Sequence, residues 1–368
     1  MTSRRISRRR ALQQLAATAL AAPALSRANA QGLRPISMSL SWLADGYSAY
    51  AYAAKGRGFW RERGLDVTIS RGTGSVPTAQ AIATGKFDFG LSNATVVMQM
   101  ASKGASLRAL AMISYETSMG VAMSDTAPIR EPRDLEGKKV AQTLASSDAA
   151  FFVPFCKLNG VDPAKIEIVS MDAQLRDRAL IQGTVDAETG FASSFVASLV
   201  SSGLKVRSLL YSKFGLPLYG DATLLTTGAT ATADPKLCAA MADGLMEGLK
   251  FSLLRPEETR DLLLEAAPEH KLSPNGPELL RLGMAVQRFN VLASQDPRQH
   301  GLGWADPDKL AATADLVLKF QGAPGAVRPD MPSVYRNEFA GRVRLTDEEW
   351  ATAAAVTRFI NPYLGEPA

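Results

Sequence analysis

Carboxylate and aromatic side chains recur at the predicted ends of strands in this 368-residue chain. Carboxylates bind amines, and aromatic faces stack on flat rings. The carboxylates at these ends are Asp45, Asp148, Asp172, Glu188 and Asp221. The aromatic residues nearby are Trp42, Tyr47, Tyr50, Tyr115, Phe151 and Tyr219. Few cations beyond Arg71 accompany them, so the set favours a flat, amine-bearing or neutral ligand over a bare anion, which needs positively charged donors.

A glycine-containing loop, RGTGSVPTAQ at residues 71–80, precedes a predicted helix and has to be tested for phosphate binding. A dinucleotide-binding loop needs glycine where Pro77 stands, and a Walker loop needs a Gly-Lys pair that is absent here. We therefore expect one wall of a ligand cleft, with N–H groups at a helix N-terminus and Ser75 as the N-cap.

Ten residues at or near these strand ends form the candidate ligand-binding set, because ligands of open parallel sheets bind outside the carboxyl ends of the strands. They are Trp42, Tyr47, Gly74, Ser75, Asn93, Tyr115, Ser146, Ser147, Glu188 and Tyr219. Plain structural roles stay open for several of them. Trp42 also fits a core position, and Asn93, Ser146 and Ser147 fit turns or helix caps. Glu188 falls where a buried strand should be apolar, so it needs a ligand or an arginine partner, and we favour the ligand.

The elements that carry these residues alternate between strand and helix patterns. ISMSLSWL alternates apolar and polar residues as a strand does, and LDVTIS and KFDFGLS repeat this pattern. AYAAKGRGFWRERG, between the first two strands, is typical of a helix that ends near Gly64. This order predicts a parallel sheet covered by helices.

The same order returns in a second stretch, through KKVAQTL, IEIVSM and TVDAETGF. AIATGKFD and ALIQGTVD place a glycine and an aspartate at matching points, so that Asp88 and Asp186 lie 98 residues apart. We expect both aspartates to fix the entry of a strand and to touch no ligand. The repetition predicts two similar α/β lobes, followed by mostly helical segments.

The first thirty residues have the layout of an export signal. A basic start and a weakly apolar middle lead to Ala28-Asn29-Ala30, which predicts cleavage after Ala30. SRRRAL, from Ser7 to Leu12, resembles a twin-arginine signal. The apolar run is too short and too polar to span a membrane. A cytoplasmic protein with a basic tail would explain the arginines but not the Ala-x-Ala ending, so we expect a periplasmic protein.

Charge and composition exclude several classes of function. The whole chain has a net charge of +5, but six of its basic residues are arginines of the predicted signal. Without them 35 basic residues face 36 acidic ones, a net charge of −1, which removes the case for nucleic acid. Two cysteines and two histidines without a cluster make zinc improbable. We expect Cys156 and Cys238 to be buried thiols in separate lobes.

Several segments together resemble one group of periplasmic binding proteins, which serves ABC importers for nitrate, alkanesulfonates, taurine and thiamine-pyrimidine precursors. The similar segments are AKGRGFWRERGLDVTI, GTGSVPTAQAIATGKFDFG, DLEGKKVAQ and GTVDA. The resemblance implies the type II periplasmic binding protein fold, with two Rossmann-like lobes of parallel-type sheets, a hinge and C-terminal helices. On this basis we expect lobe I over 33–125 and 226–345, lobe II over 126–225 and a helical tail over 346–368.

The resemblance also implies a function. We expect a monomer without a cofactor that captures one small molecule and delivers it to the permease and ATPase of an ABC importer. An aminopyrimidine related to thiamine is the leading ligand, and a sulfonate, taurine or nitrate is the alternative. A pyrimidine-synthesising enzyme with pyridoxal phosphate is a second hypothesis, although the chain lacks the cysteine-rich run of those relatives. A sensor domain would need an output domain or a membrane span, and neither is evident.

Overall fold

A computed structural model describes residues 32–364, apart from the side chains of Ala173 and Gln174. The predicted export signal with its cleavage site, and the last four residues of the predicted tail, lie outside the described residues. In the described part, no helix has both the length and the apolar character needed to cross a membrane.

Ten strands alternate with helices along the first two thirds of the chain. The strands are β1 (Arg34–Ser39), β2 (Leu65–Ser70), β3 (Phe89–Ser92), β4 (Leu107–Glu116), β5 (Met119–Ser124), β6 (Lys139–Gln142), β7 (Glu167–Ser170), β8 (Ala187–Phe191), β9 (Val206–Leu210) and β10 (Tyr219–Thr227). The intervening helices are α1 (Ala49–Gly56), α2 (Ser75–Ala83), α3 (Ala94–Ser102), α4 (Ala149–Leu158), α5 (Ala173–Ile181) and α6 (Ala192–Ser201). The predicted first helix is shorter than expected, because Gly58, with a positive φ of 79°, follows its end.

The strands form two five-stranded sheets, in the orders β2-β1-β3-β10-β4 and β7-β6-β8-β5-β9. In the first sheet β1 pairs parallel with β3, and β10 runs antiparallel to both β3 and β4. In the second, β6 pairs parallel with β7 and β8, and β5 runs antiparallel to β8 and β9. Both sheets are therefore mixed, where the sequence had indicated a parallel type.

The chain passes between the two sheets at residues 117–118 and 211–218. β5 already pairs within the second sheet, and β10 returns the chain to the first. We propose that the hinge of the two expected lobes lies in these two crossings, which shifts the proposed boundaries from 125 and 225 to these segments.

Two equivalent aspartates fasten the parallel strands at their starting ends. Asp88 Oδ2 accepts hydrogen bonds from Ser37 N at 2.8 Å and Ser37 Oγ at 2.7 Å. Asp186 Oδ2 accepts one from Lys139 N at 2.8 Å in the second sheet. These contacts match the structural role that the sequence predicted for both residues.

The remainder of the described chain is mostly helical, as expected. Its helices are α7 (Gly228–Ala233), α8 (Pro235–Leu254), α9 (Pro256–Ala266), α10 (Glu269–Leu272), α11 (Gly276–Leu292), α12 (Asp296–His300), α13 (Pro307–Gln321), α14 (Met331–Val334) and α15 (Asp347–Ala355). The last of them begins with a capping box, in which Thr346 and Glu349 are bonded reciprocally. Cys156 and Cys238 are both buried and unpaired, as predicted.

Helix α11 joins the apolar interiors of both halves. It contributes Leu280, Met284 and Val291 to the larger hydrophobic cluster and Leu282, Ala285 and Val286 to the smaller one. It also packs backbone to backbone on the loop after β1: a Cβ atom at Gly46 would lie 2.1 Å from Leu280 O. The loop that carries Asp45 and Tyr47 is therefore held in place by this helix.

Gly46→Ala should disrupt this packing. The added methyl group would overlap Leu280 O, and because that oxygen belongs to the helix backbone and cannot easily move, overpacking should lower the free energy of unfolding by about 1–3 kcal/mol. Gly32→Ala is the control, because a Cβ atom there would have no heavy atom of a residue beyond its chain neighbours within 4 Å. Urea unfolding measures both variants, and an equal loss in the two would contradict this account.

Candidate functional site

A cavity opens between the two sheets at the carboxyl ends of β1, β3 and β8. It encloses about 510 Å³, with the solvent at its opening included. Its lining comes from both halves of the chain: Ser41, Trp42, Asp45, Tyr47, Ser75, Asn93 and Asp221 from the first sheet and its loops, and Ser146, Arg176, Phe191, Ser193 and Ser194 from the second. The position agrees with the rule that selected the candidate residues.

A wider groove continues from this cavity toward solvent. It encloses about 1380 Å³ with solvent included and shares Trp42, Asp45, Ser193 and Ser194 with the cavity. Trp42 is half-buried where the two spaces meet, which leaves its ring accessible to a ligand. Trp42 is therefore not buried in the core, which was the alternative interpretation of this residue.

Asp221 is the most heavily bonded side chain of the cavity. Its Oδ2 accepts hydrogen bonds from Tyr47 Oη at 3.0 Å, Ser118 Oγ at 2.9 Å and Asn290 Nδ2 at 3.1 Å. Oδ1 receives the longer bond of 3.4 Å from Ser118 N. Burial raises the pKa of Asp221 to about 6, and the hydrogen bonds from Ser118 and Tyr47 partly oppose that rise.

Asp45 is a second perturbed carboxylate in the lining. It caps the short 3₁₀ turn Gly46–Ser48, where Oδ1 accepts hydrogen bonds from Ser48 N at 3.2 Å and Ser48 Oγ at 3.3 Å. Burial raises its pKa to about 6. Desolvation also raises the pKa of Tyr47 well above its ordinary value, so its hydroxyl stays protonated and donates to Asp221.

The glycine loop serves close packing instead of phosphate binding. Gly72 N donates to Trp42 O at 2.8 Å and Gly74 N donates to Ser41 O at 3.0 Å, so neither amide is free for a ligand. The expected N–H contribution of Gly74 is thus wrong. Gly74, with φ of +147°, is the residue before α2, and a Cβ there would lie 2.5 Å from Ala145 O. Ser75 is the first helical residue and not the N-cap, and its side chain lines the cavity.

A direct contact crosses the cavity between the sheets. Ser147 Oγ, in the loop after β6, donates to Asn93 Oδ1 at 3.0 Å, in the loop after β3. Asn93 Nδ2 in turn donates to Asp221 O at 2.7 Å. Ser147 therefore holds the two sides of the cavity together, while Asn93 and Ser146 line it.

Glu188 has an arginine partner, which is the alternative that the sequence argument ranked second. Its side chain is fully buried, and Oε1 lies 3.4 Å from Arg176 Nε. Burial raises the pKa of Glu188 well above its ordinary value, although Arg176 opposes that rise. Glu188 is not among the residues that line the cavity, and Arg176 lies at ion-pair distance from it, although neither Glu188 oxygen accepts a hydrogen bond from a described residue.

Tyr115 and Tyr219 contact the C-terminal part of the chain and do not line the cavity. Tyr115 Oη accepts a hydrogen bond from Gly303 N at 3.1 Å, and Tyr219 Oη donates to Asp296 Oδ2 at 2.6 Å. Both rings are buried, 6.2 Å apart. We therefore leave them out of the proposed ligand site.

A protein-family model described as NMT1/THI5 like matches residues 45–259, more than half of the chain. The chain belongs to this family.

Its relatives include binding proteins and enzymes. The chain is 22% identical to the riboflavin-binding protein RibY of Chloroflexus aurantiacus, across 88% of this chain and 91% of that protein. It is 21% identical to the formylaminopyrimidine-binding protein of Halalkalibacterium halodurans, across 64% and 71%. It is 19% identical to a 4-amino-5-hydroxymethyl-2-methylpyrimidine phosphate synthase of Legionella pneumophila, across 64% and 74%.

Among solved structures, the periplasmic aliphatic sulphonate binding protein SsuA of Escherichia coli superposes with a TM-score of 0.60 at 17% identity. The match covers 82% of this chain and 91% of that one. At this identity the likeness concerns the fold, and it confirms the predicted periplasmic binding protein class.

The ten candidate residues predicted from the sequence do not include several residues that line the cavity of this chain. Asp45 and Asp221 stand at strand ends and were noted as carboxylates, but their hydrogen-bond partners are distant in sequence. Phe191 ends β8, and Ser193 and Ser194 lie in the first turn of α6 directly after it, where the same rule would have found them. Arg176 lies inside α5, one turn beyond the strand-end loop, and the rule does not reach that position.

Asp221→Asn should remove a pH dependence of stability. The pKa of Asp221 is about 6 in the folded protein and about 3.9 in an unfolded chain. The stability that it contributes is therefore complete below about pH 4 and is lost as the pH rises through about 6. Between pH 4 and 7 the free energy of unfolding of the wild type should fall by about 2–3 kcal/mol relative to the variant. Urea unfolding across this range measures the effect, and a constant difference would contradict it.

Ser147→Ala should favour opening of the cavity in the ligand-free protein. The hydroxyl contributes a hydrogen bond of about 1 kcal/mol to Asn93, so its loss should raise the ratio of open to closed molecules about fivefold. Small-angle X-ray scattering measures this as a larger radius of gyration. Ser202→Ala is the control, because that hydroxyl bonds only within its own helical turn, to Ser198 O. Equal scattering from both variants would contradict a clamping role.

Proposed function

We propose that the protein is an extracytoplasmic solute-binding protein that captures one small organic molecule between its two sheets and delivers it to an ABC importer. Two relatives are named as binding proteins, and the fold is that of a periplasmic sulfonate-binding protein. The cavity between two sheets joined by short crossings provides a place for one ligand. The export signal, its twin-arginine route, the periplasmic location, the permease and ATPase partners and the monomeric state belong to this proposal.

The ligand that the cavity chemistry favours is a flat heterocycle with an amine. The observation that carries this proposal is the pair of carboxylates, Asp45 and Asp221, beside the rings of Trp42 and Tyr47. Because three donors converge on Asp221 Oδ2, Oδ1 is the oxygen with room for a ligand donor. An amine that donates to a carboxylate forms a charge-assisted hydrogen bond, which is roughly twice as strong as a neutral one. An aminopyrimidine related to thiamine fits these requirements.

An anionic ligand fits this lining less well. Arg176 is the one cation among the described residues that line the cavity, and its guanidinium is paired with Asp177 at 2.8 Å. Two carboxylates and one neutralised cation repel a sulfonate or nitrate instead of attracting it. The sulfonate-binding neighbour supports the fold alone and does not raise this alternative above the heterocycle.

An enzyme is the second candidate function, favoured by the synthase among the relatives. A pyridoxal phosphate enzyme of this kind holds its cofactor on a lysine. The lining residues within the described part of the chain include no lysine, histidine or cysteine. This composition supports binding without turnover, and the proposed export of the protein supports it further.

A ligand screen followed by two substitutions tests the proposal. The probes are 4-amino-5-hydroxymethyl-2-methylpyrimidine, riboflavin, ethanesulfonate, taurine and nitrate. We expect the aminopyrimidine to raise the melting temperature of the mature protein, and calorimetry to show one site. Asp221→Asn should then weaken binding by about 10- to 100-fold, because a hydrogen bond to a charged group is lost. Trp42→Ala should also weaken binding, through loss of ring stacking.

Asp88→Asn serves as the matched control, since that carboxylate bonds Ser37 far from the cavity and should leave the affinity unchanged. Stabilisation by ethanesulfonate, taurine or nitrate alone would overturn the heterocycle proposal. Bound pyridoxal phosphate, detected by its absorbance, would favour the enzyme.

A further inference from the structure

Arg176 retains unused hydrogen-bonding capacity on the cavity wall. A guanidinium has five N–H groups. Nε and Nη2 each donate to Asp177 Oδ1, at 3.0 and 2.8 Å, and Nη1 donates to Thr189 O at 2.9 Å. No other described residue accepts a hydrogen bond from it, so one N–H remains on each of Nη1 and Nη2. Arg176 lines the cavity although only 2% of its surface is exposed.

The protein fixes the position of this guanidinium from several sides. Asp177 and Thr189 bind it directly, and Glu188 Oε1 lies 3.4 Å from Nε. The side chain also lies over the backbone of Gly190, where a Cβ atom would be 2.8 Å from Nη1 and 3.4 Å from Phe195 Cδ1. A larger residue at 190 would push the guanidinium out of place. Arginine restrained in this way loses little side-chain entropy when it binds a ligand.

The charges around Arg176 decide which kind of ligand group it can bind. Asp177, Glu188 and Asp148 all interact with it electrostatically, and all three are buried. Three carboxyl groups around one cation leave no excess of positive charge for an anion. The guanidinium N–H groups remain donors whatever the surrounding charge, so a neutral acceptor such as a carbonyl oxygen or ring nitrogen is the suitable partner.

We propose that Arg176 determines ligand specificity by donating its two remaining N–H groups to a neutral carbonyl oxygen of the ligand. This inference rests on the proposed function, to which it adds an acceptor on the side of the ligand that faces the second sheet. Asp45 and Asp221 contact the amine from the first sheet. Asp177, Glu188 and Gly190 are positioning residues that act through Arg176.

Two probes that differ at ring position 5 test this inference, because one presents a carbonyl acceptor with its amide NH2 where the other has a methyl group. They are 4-amino-2-methylpyrimidine-5-carboxamide and 4-amino-2,5-dimethylpyrimidine, with ethanesulfonate as the anionic comparison. We expect calorimetry to show that the wild type binds the carboxamide about tenfold more tightly than the dimethyl compound. Arg176→Lys keeps the positive charge beside the buried carboxyl groups but lacks the planar guanidinium with its pair of N–H donors. It should reduce the preference for the carboxamide over the dimethyl compound to less than twofold. Its affinity for the dimethyl compound should not change.

Two further variants separate recognition from folding. Gly190→Ala leaves every charge in place and should reduce the same preference by displacing Arg176. Arg178→Lys, on the same helix but in the outer groove, is the matched control and should keep the tenfold preference. A full carboxamide preference in Arg176→Lys, with both pyrimidines still bound, would overturn the role of Arg176 and leave the proposed function standing. Binding of ethanesulfonate in place of both pyrimidines, or of none of the three probes by the wild type, would overturn both.

Discussion

One buried carboxylate connects most of the parts on which the cavity depends. Asp221 lies on β10, and its oxygens bind the loop after β1 through Tyr47, the crossing between the sheets through Ser118 and helix α11 through Asn290. Its backbone oxygen binds Asn93, which contacts the second sheet through Ser147. Because a buried carboxylate is costly unless it is well bonded, these elements have to converge on it in a fixed arrangement. The geometry of the cavity therefore follows largely from satisfying one side chain.

The sequence predicted the elements and the edge of the sheet well, because both depend on local patterns. Alternation of apolar residues located β1, β2 and β3, and the repeated Gly-x-x-Asp pattern located Asp88 and Asp186, which perform the same role in both sheets. The strand-end rule then selected Trp42, Ser75, Asn93 and Ser146, all of which line the cavity. The spacing of apolar residues and the order of strands and helices along the chain are sufficient for these conclusions. They could not show the antiparallel strands β5 and β10, which depend on where the chain crosses between the sheets.

Features set by contacts between distant residues were not predictable in this way. Ser75 fits an N-cap locally, but the loop is drawn against Ser41 and Ala145, which makes Gly74 the cap and leaves the serine facing the cavity. Tyr115 and Tyr219 stand near strand ends in sequence, yet their hydroxyls bind residues of the C-terminal segment. The partner of Glu188 is Arg176, twelve positions earlier and on a helix of the second sheet. A polar residue in a buried strand indicates that a partner exists, but the sequence pattern does not show which residue that partner is.

The charges on the two sides of the cavity are balanced in different ways, and this difference favours one orientation for the proposed ligand. On the second sheet Arg176 is surrounded by carboxyl groups within the protein, and what it has left to offer is uncharged N–H donor capacity. On the first sheet, no described lining residue pairs a cation with Asp45 or Asp221, and burial raises the pKa of each to about 6 although His270 in the outer groove lowers that of Asp45. Above that pH both carry charge in a poorly solvated place, so a ligand donor that replaces lost water lowers their free energy. A molecule with an amine at one end and a neutral acceptor at the other satisfies both sides at once, whereas an anion satisfies neither.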